Sequence, residues 1–94
     1  MNQVIWSPVA QDAYLATLAF LMKEYSLDVA VEFDAKVDKL IQRLQQFKHF
    51  CPPSRLHRRL RRCVINKQAS LIYRIKGEVI EIVSFFDNRS NHLF

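Results

Sequence analysis

Five arginines stand within eight residues, at Arg55, Arg58, Arg59, Arg61 and Arg62. A guanidinium is permanently charged and offers a flat fork of donors that fits two phosphate oxygens at once. A cluster of them therefore suits a polyanion, either nucleic acid or an acidic protein. The rest of the chain sharpens this. Residues 1–50 carry five Lys/Arg against six Asp/Glu, a balance of −1, whereas residues 51–94 carry nine against three, a balance of +6. A chain with one near-neutral half and one cationic half is suited to meeting something anionic. A solvated face that serves only solubility is the plainer alternative for the same run.

His49, Cys51, His57 and Cys63 are four potential metal ligands in fifteen residues. They lack the close paired spacing of a zinc clamp, so no metal site is expected and no cofactor is called for. Two cysteines are too few for a disulfide framework. Both are expected to be reduced, small apolar side chains beside two surface imidazoles, as in a cytoplasmic protein. No apolar run approaches the ~18 residues needed to cross a bilayer, and no secretory signal is evident, so a cytoplasmic location without membrane contact is expected.

These groups need elements to position them. Residues 1–94 read as one domain. Gln3–Trp6 is a short β-type run, and Ser7-Pro8 is a helix start, with serine as cap and proline at the first helical position. From Pro8 to about Tyr25, Ala10, Ala13, Tyr14, Leu18, Leu21 and Tyr25 recur at helical spacing. Leu15, Ala19, Phe20 and Met22 widen that stripe, so this helix is expected to be buried on two sides. Ser26 and Asp28 can cap a second helix, with Ala30, Phe33, Val37, Leu40, Ile41, Leu44 and Phe47 on one face and a Glu32–Lys36 pair on the other. The short joint makes the two helices an antiparallel hairpin. Pro52-Pro53 stops the second helix.

After the arginines the period changes. Leu60–Ile65, Ala69–Ile75 and Val79–Phe86 read as antiparallel strands joined by tight turns at 66–68 and 76–78. Gly77, the chain's one glycine, falls in the second turn. Alternation puts Leu71, Tyr73 and Ile75 on one face and Ser70, Ile72 and Arg74 on the other. Phe85 and Phe86 fall on opposite faces. The expected class is α+β, in the order β-α-α-β-β-β. A small, mainly antiparallel sheet carries a helical hairpin on one face and leaves the other partly open.

Three blocks carry a resemblance. They are Val4-Ile5-Trp6-Ser7-Pro8 with Ala10 and Tyr14; Leu60-Arg61-Arg62 with Val64-Ile65 and then Leu71-Ile72-Tyr73-Arg74-Ile75; and Ile80-Glu81-Ile82-Val83 with Asp87-Asn88-Arg89. In this order, spanning nearly the whole chain, they resemble the RelE/ParE toxin superfamily. The resemblance implies a bacterial type II toxin, held inactive by an antitoxin. One branch cleaves mRNA in the ribosomal A site, and another inhibits DNA gyrase. RNA cleavage through the 2′-hydroxyl needs a proton acceptor, a cation for the charge developing on phosphorus, and a proton donor.

By that resemblance, Arg89, His92 and Arg74 are the candidate catalytic residues. His92 is the group whose ordinary pKa suits proton transfer near neutrality. Arg55, Arg58, Arg59, Arg61 and Arg62 are candidates for binding nucleic acid, as is Phe94, whose ring could stack on a base. An open sheet face bearing Arg61, Arg74, Arg89 and His92 is expected. Two positions depart from the nuclease pattern. Ser70 stands where an arginine is frequent, and Phe94 stands where many members end in tyrosine. The leading reading is a ribosome-dependent mRNA endonuclease. The alternatives are a gyrase inhibitor without nuclease chemistry and a non-toxic basic RNA-binding domain. The toxin readings imply an acidic antitoxin docked on the open face and the basic run, by an added strand or a helix laid in a groove.

Overall fold

The computed structural model describes residues 1–88. Its elements run β1 (Gln3–Trp6), α1 (Pro8–Glu24), α2 (Leu27–Gln46), β2 (Arg61–Val64), β3 (Ala69–Lys76) and β4 (Val79–Asp87). The strands form one sheet in the order β1-β4-β3-β2. β2–β3 and β3–β4 are antiparallel, and β1 runs parallel to β4. This is the expected α+β order.

Both helix starts follow from their caps. Ser7 is extended, its side chain accepts from the Ala10 N–H at 3.0 Å, and Pro8 opens α1. Ser26 caps α2 in the same way, accepting from Val29 at 3.2 Å. Ser7 does a second job: its N–H donates to Ile82 at 2.9 Å and its hydroxyl donates to the Val83 carbonyl at 2.9 Å. One residue thus fastens the head of α1 to β4.

Val83 is where β4 bulges. Ile72 faces Ser84 but Tyr73 faces Ile82, so Val83 has no opposite number. A bulge shifts the alternation by one. Ile80, Ile82 and Phe85, spaced two and then three apart, therefore all face the helices. With Leu71, Tyr73, Ala10, Leu21, Phe33, Val37 and Leu44 they form the core. Trp6, Tyr14 and Phe85 meet there with ring centroids 5.2 to 5.4 Å apart.

Three expectations need correcting. α1 is buried on one side only: Ala10 and Leu21 are inside, whereas Leu15, Phe20 and Met22 are exposed. On that flank Phe20 meets the edge of the Tyr25 ring, 6.3 Å between centroids, and stays exposed. Tyr25 and Phe47, placed on helical core stripes, lie outside because each is the C-cap that ends its helix. Finally, Cys51 and Cys63 are not free thiols. They are buried and joined in a disulfide, with Cα atoms 5.4 Å apart. Counting cysteines could not reveal this, because a single bridge needs only a backbone that brings two residues face to face.

The backbone does so through a short hairpin that precedes β2. Pro53 bridges Arg61, the Arg62 N–H donates to Pro52 at 3.1 Å, and the Ser54 N–H donates to Leu60 at 2.7 Å. Extending this register one pair towards the base sets Cys51 opposite Cys63. Among the described residues, no helix is long and apolar enough to cross a membrane.

Candidate anion-binding face

The arginine run divides into three environments. Arg55, Arg58 and Arg59 occupy the exposed tip of the hairpin, and among the described residues none of them is in an ion pair. Leu60 N–H donates to His57 at 2.8 Å and His57 N–H to the Ser54 hydroxyl at 3.4 Å, which closes the turn.

Arg61 and Arg62, adjacent on β2, point to opposite sides. Arg62 faces Ile72 and so lies on the helix-free face. Its Nε donates to the Ser70 hydroxyl at 3.2 Å, its Nη2 donates to Asn88 Oδ1 at 3.1 Å, and its Cζ sits 4.9 Å from the centre of the Phe86 ring. Ser70 also donates to Asn88 Oδ1. Asn88 is held in turn, its side-chain amide donating to Asn66 at 2.7 Å and Lys67 at 3.2 Å. The guanidinium is therefore fixed by two hydrogen bonds and a ring, and a fixed cation binds an anion without first losing side-chain freedom.

Arg61 faces Tyr73, on the helix side. Its Nη1 donates to the Cys51 carbonyl at 2.6 Å. The expectation that it shares the open face with Arg74 is wrong for a simple reason: neighbours on a strand point oppositely. Its charge instead acts on Tyr73. Burial pushes that phenol above its ordinary range, opposed by the hydrogen bond from Cys51 and by the nearby Arg61 charge.

Arg74 does lie on the open face, but Glu81 holds it at 2.5 Å and also contacts Lys76 at 3.8 Å. A groove of about 440 Å³ runs beside that pair, lined by Ser7, Val9, Leu60, Val83 and Ser84. Ile72, between Arg62 and Ser84, is fully buried, so this face is less open than alternation alone suggests. Arg89, His92 and Phe94 lie outside the described residues. Sequence reasoning missed Asn88 and Phe86 as partners of Arg62. The signal available was weak: an Asx residue closing a strand, and the placing of Phe85 and Phe86 on opposite faces, with neither face assigned.

No family model matches the sequence, and no curated protein matches it. Solved structures do. A chain of the chromosomal ParDE toxin–antitoxin system from P. aeruginosa superimposes with a TM-score of 0.77 at 17% identity, covering 93% of this chain and 96% of that one. The YoeB/ParE toxin from Agrobacterium tumefaciens gives 0.66 at 14% identity, over 90% and 96%. A chain of the YoeB–YefM complex from Staphylococcus aureus gives 0.60 at 15% identity, over 92% and 95%. The chain has the fold of the RelE/ParE toxin superfamily.

Proposed function

We propose that this chain is the toxin of a type II toxin–antitoxin pair, acting in the cytoplasm as a RelE-like, ribosome-dependent mRNA endonuclease. The observation that carries the reading is Arg62. Ser70 lacks the guanidinium frequent at its position in nucleases of the family, yet Arg62 reaches across from β2 and donates to the Ser70 hydroxyl at 3.2 Å. The charge stands over the same spot on the sheet, delivered from the neighbouring strand. In an in-line attack by the 2′-hydroxyl, negative charge grows on the non-bridging phosphate oxygens, and a pre-set fork beside them lowers the barrier without reorganising. The tip arginines would grip RNA phosphates away from the scissile one. Proton transfer falls to His92, with Arg89 as a second cation.

The proposed partner is an antitoxin, as the similarity to a toxin–antitoxin complex supports; the basic run and the open face call for an acidic one laid over them. The test is induction of the chain in a growing cell, with primer extension on a reporter mRNA. Cuts near A-site codons under growth arrest, lost with Arg62→Ala, support the reading. Intact mRNA under clear arrest removes it. One observation favours a second reading, gyrase inhibition without nuclease chemistry: Arg74 is already bound to Glu81, which leaves the face one free cation poorer. Blocked supercoiling by purified gyrase, with intact mRNA, would select it.

A further inference from the structure

The Cys51–Cys63 bridge sits at the base of the arginine hairpin, and everything beyond it, residues 52–62, is that hairpin. Within the hairpin, the His57 N–H donates to the Ser54 hydroxyl at 3.4 Å and closes the turn. Residues 55–59 are all exposed, Leu56 included, and the hairpin's own backbone bonds are Ser54–Leu60, Arg62–Pro52 and Leu60–His57. The base, by contrast, is tied to the core through Cys51. Its N–H donates to the Tyr73 hydroxyl at 3.3 Å, and its carbonyl accepts from Arg61 at 2.6 Å. The cross-link therefore adds to the β2–β3 pairing in transmitting the rigidity of the core to a cationic tip, residues 55–59, that is exposed throughout.

A disulfide in a cytosolic protein is uncommon, and where one occurs it is usually transient, catalytic or redox-sensing. We propose that Cys51–Cys63 is a redox clamp that fixes the arginine hairpin for binding RNA phosphates, and that its reduction by a dithiol slackens the hairpin and weakens the grip. The proposal rests on the RNA-directed reading above. In the step itself, a thiolate of the dithiol attacks one cystine sulfur and forms a mixed disulfide, releasing the other cysteine as a thiolate. The second thiol of the reductant then displaces the remaining cysteine. Two electrons and two protons pass to Cys51 and Cys63, the Sγ–Sγ bond is replaced by two thiols, and the dithiol ends as its own disulfide. The two cysteines are only 7% and 3% exposed, so attack on the bridge requires the hairpin to open locally. Once slack, three arginines must be ordered anew at each binding event, which lowers affinity by about tenfold.

The test compares the air-oxidised chain with the same chain reduced by dithiothreitol and alkylated, the thiol state of each being read by intact mass. Affinity for a fluorescent single-stranded RNA oligonucleotide is measured by anisotropy, and tryptic cleavage after Arg55, Arg58 and Arg59 is timed. The expected result is about tenfold weaker RNA binding and faster tip cleavage on reduction, with Cys51→Ala/Cys63→Ala matching the reduced form. Equal affinity in the two forms, with the bridge shown to be broken, overturns the clamp alone. Two free thiols throughout air oxidation also overturn it. RNA binding by neither form overturns the RNA-directed reading and the clamp together.

Discussion

Replacing Tyr73 by phenylalanine removes one oxygen and exposes how the arginine-bearing segment is fastened to the sheet. That oxygen donates to the Lys48 carbonyl at 2.8 Å and accepts from the Cys51 N–H at 3.3 Å, while its ring is fully buried. Phenylalanine keeps the packing and orphans both backbone groups. Lys48 is partly exposed, so water can reach its carbonyl, at a cost of about 1 kcal/mol; the buried Cys51 N–H costs about 2 kcal/mol. The sum, about 3 kcal/mol, corresponds to a fall in melting temperature of roughly 15 °C for a chain of this size. There is also a pH signature. Burial holds the folded phenol's pKa above its ordinary value. Between the unfolded and folded values the folded state binds the extra proton, so this contribution is complete below about pH 10 and is lost as pH rises through the folded value. Circular-dichroism melts of wild type and Tyr73→Phe, taken from about pH 9 to about pH 11, should show the gap between them narrowing as pH rises. A gap under about 0.5 kcal/mol at neutral pH refutes the hydrogen-bond argument, since that is the scatter of innocuous substitutions. A gap that stays constant with pH refutes the titration argument.

Three further outcomes are expected. Ser7→Ala loses both a helix cap and the bond to the Val83 carbonyl, and urea unfolding should register about 2 kcal/mol of lost stability. Arg55→Ala/Arg58→Ala/Arg59→Ala should leave the melting temperature unchanged, while the slope of log affinity for single-stranded RNA against log salt becomes shallower by about 2. Arg62→Lys retains the charge but not the flat fork that lies on Phe86 and spans Ser70 and Asn88, so growth arrest on induction plates should be largely lost while the folded chain persists by circular dichroism.

The order of elements was plain in the residues because several boundaries have a local chemical cause: Ser7-Pro8, Ser26 and Gly77, which alone among the described residues takes a positive φ, of 61°. The expected stop at Pro52-Pro53 was misplaced, since α2 already ends at Gln46 with Phe47 as its cap. The faces of β3 were also plain, since Leu71, Tyr73 and Arg74 alternate without interruption. What could not be read was anything set by partners distant in sequence. Arg61 and Arg62 are chemically identical neighbours, and only pairing with Tyr73 and Ile72 decides which one faces the helices. The Cys51–Cys63 bridge depends on the register of the intervening hairpin, which no composition argument reaches. The exposed flank of α1 was misjudged because periodicity shows where a helix is apolar, whereas burial depends on whether a neighbour exists to cover it.

The unpaired Val83 has a consequence for anyone comparing or editing this strand. Upstream of it, even-numbered positions of β4 look inward; downstream, odd-numbered ones do. Excising that single valine would leave a flat ladder with Phe85 still inward and Phe86 still outward. Keeping the valine but pairing it regularly would instead transpose the two phenylalanines, driving Phe86 into the hydrophobic interior and turning Phe85 out beneath the Arg62 guanidinium. In that second case Arg62 would rest on a ring torn from the Trp6–Tyr14 cluster, so the bulge, no less than the strand's composition, fixes where the cation stands.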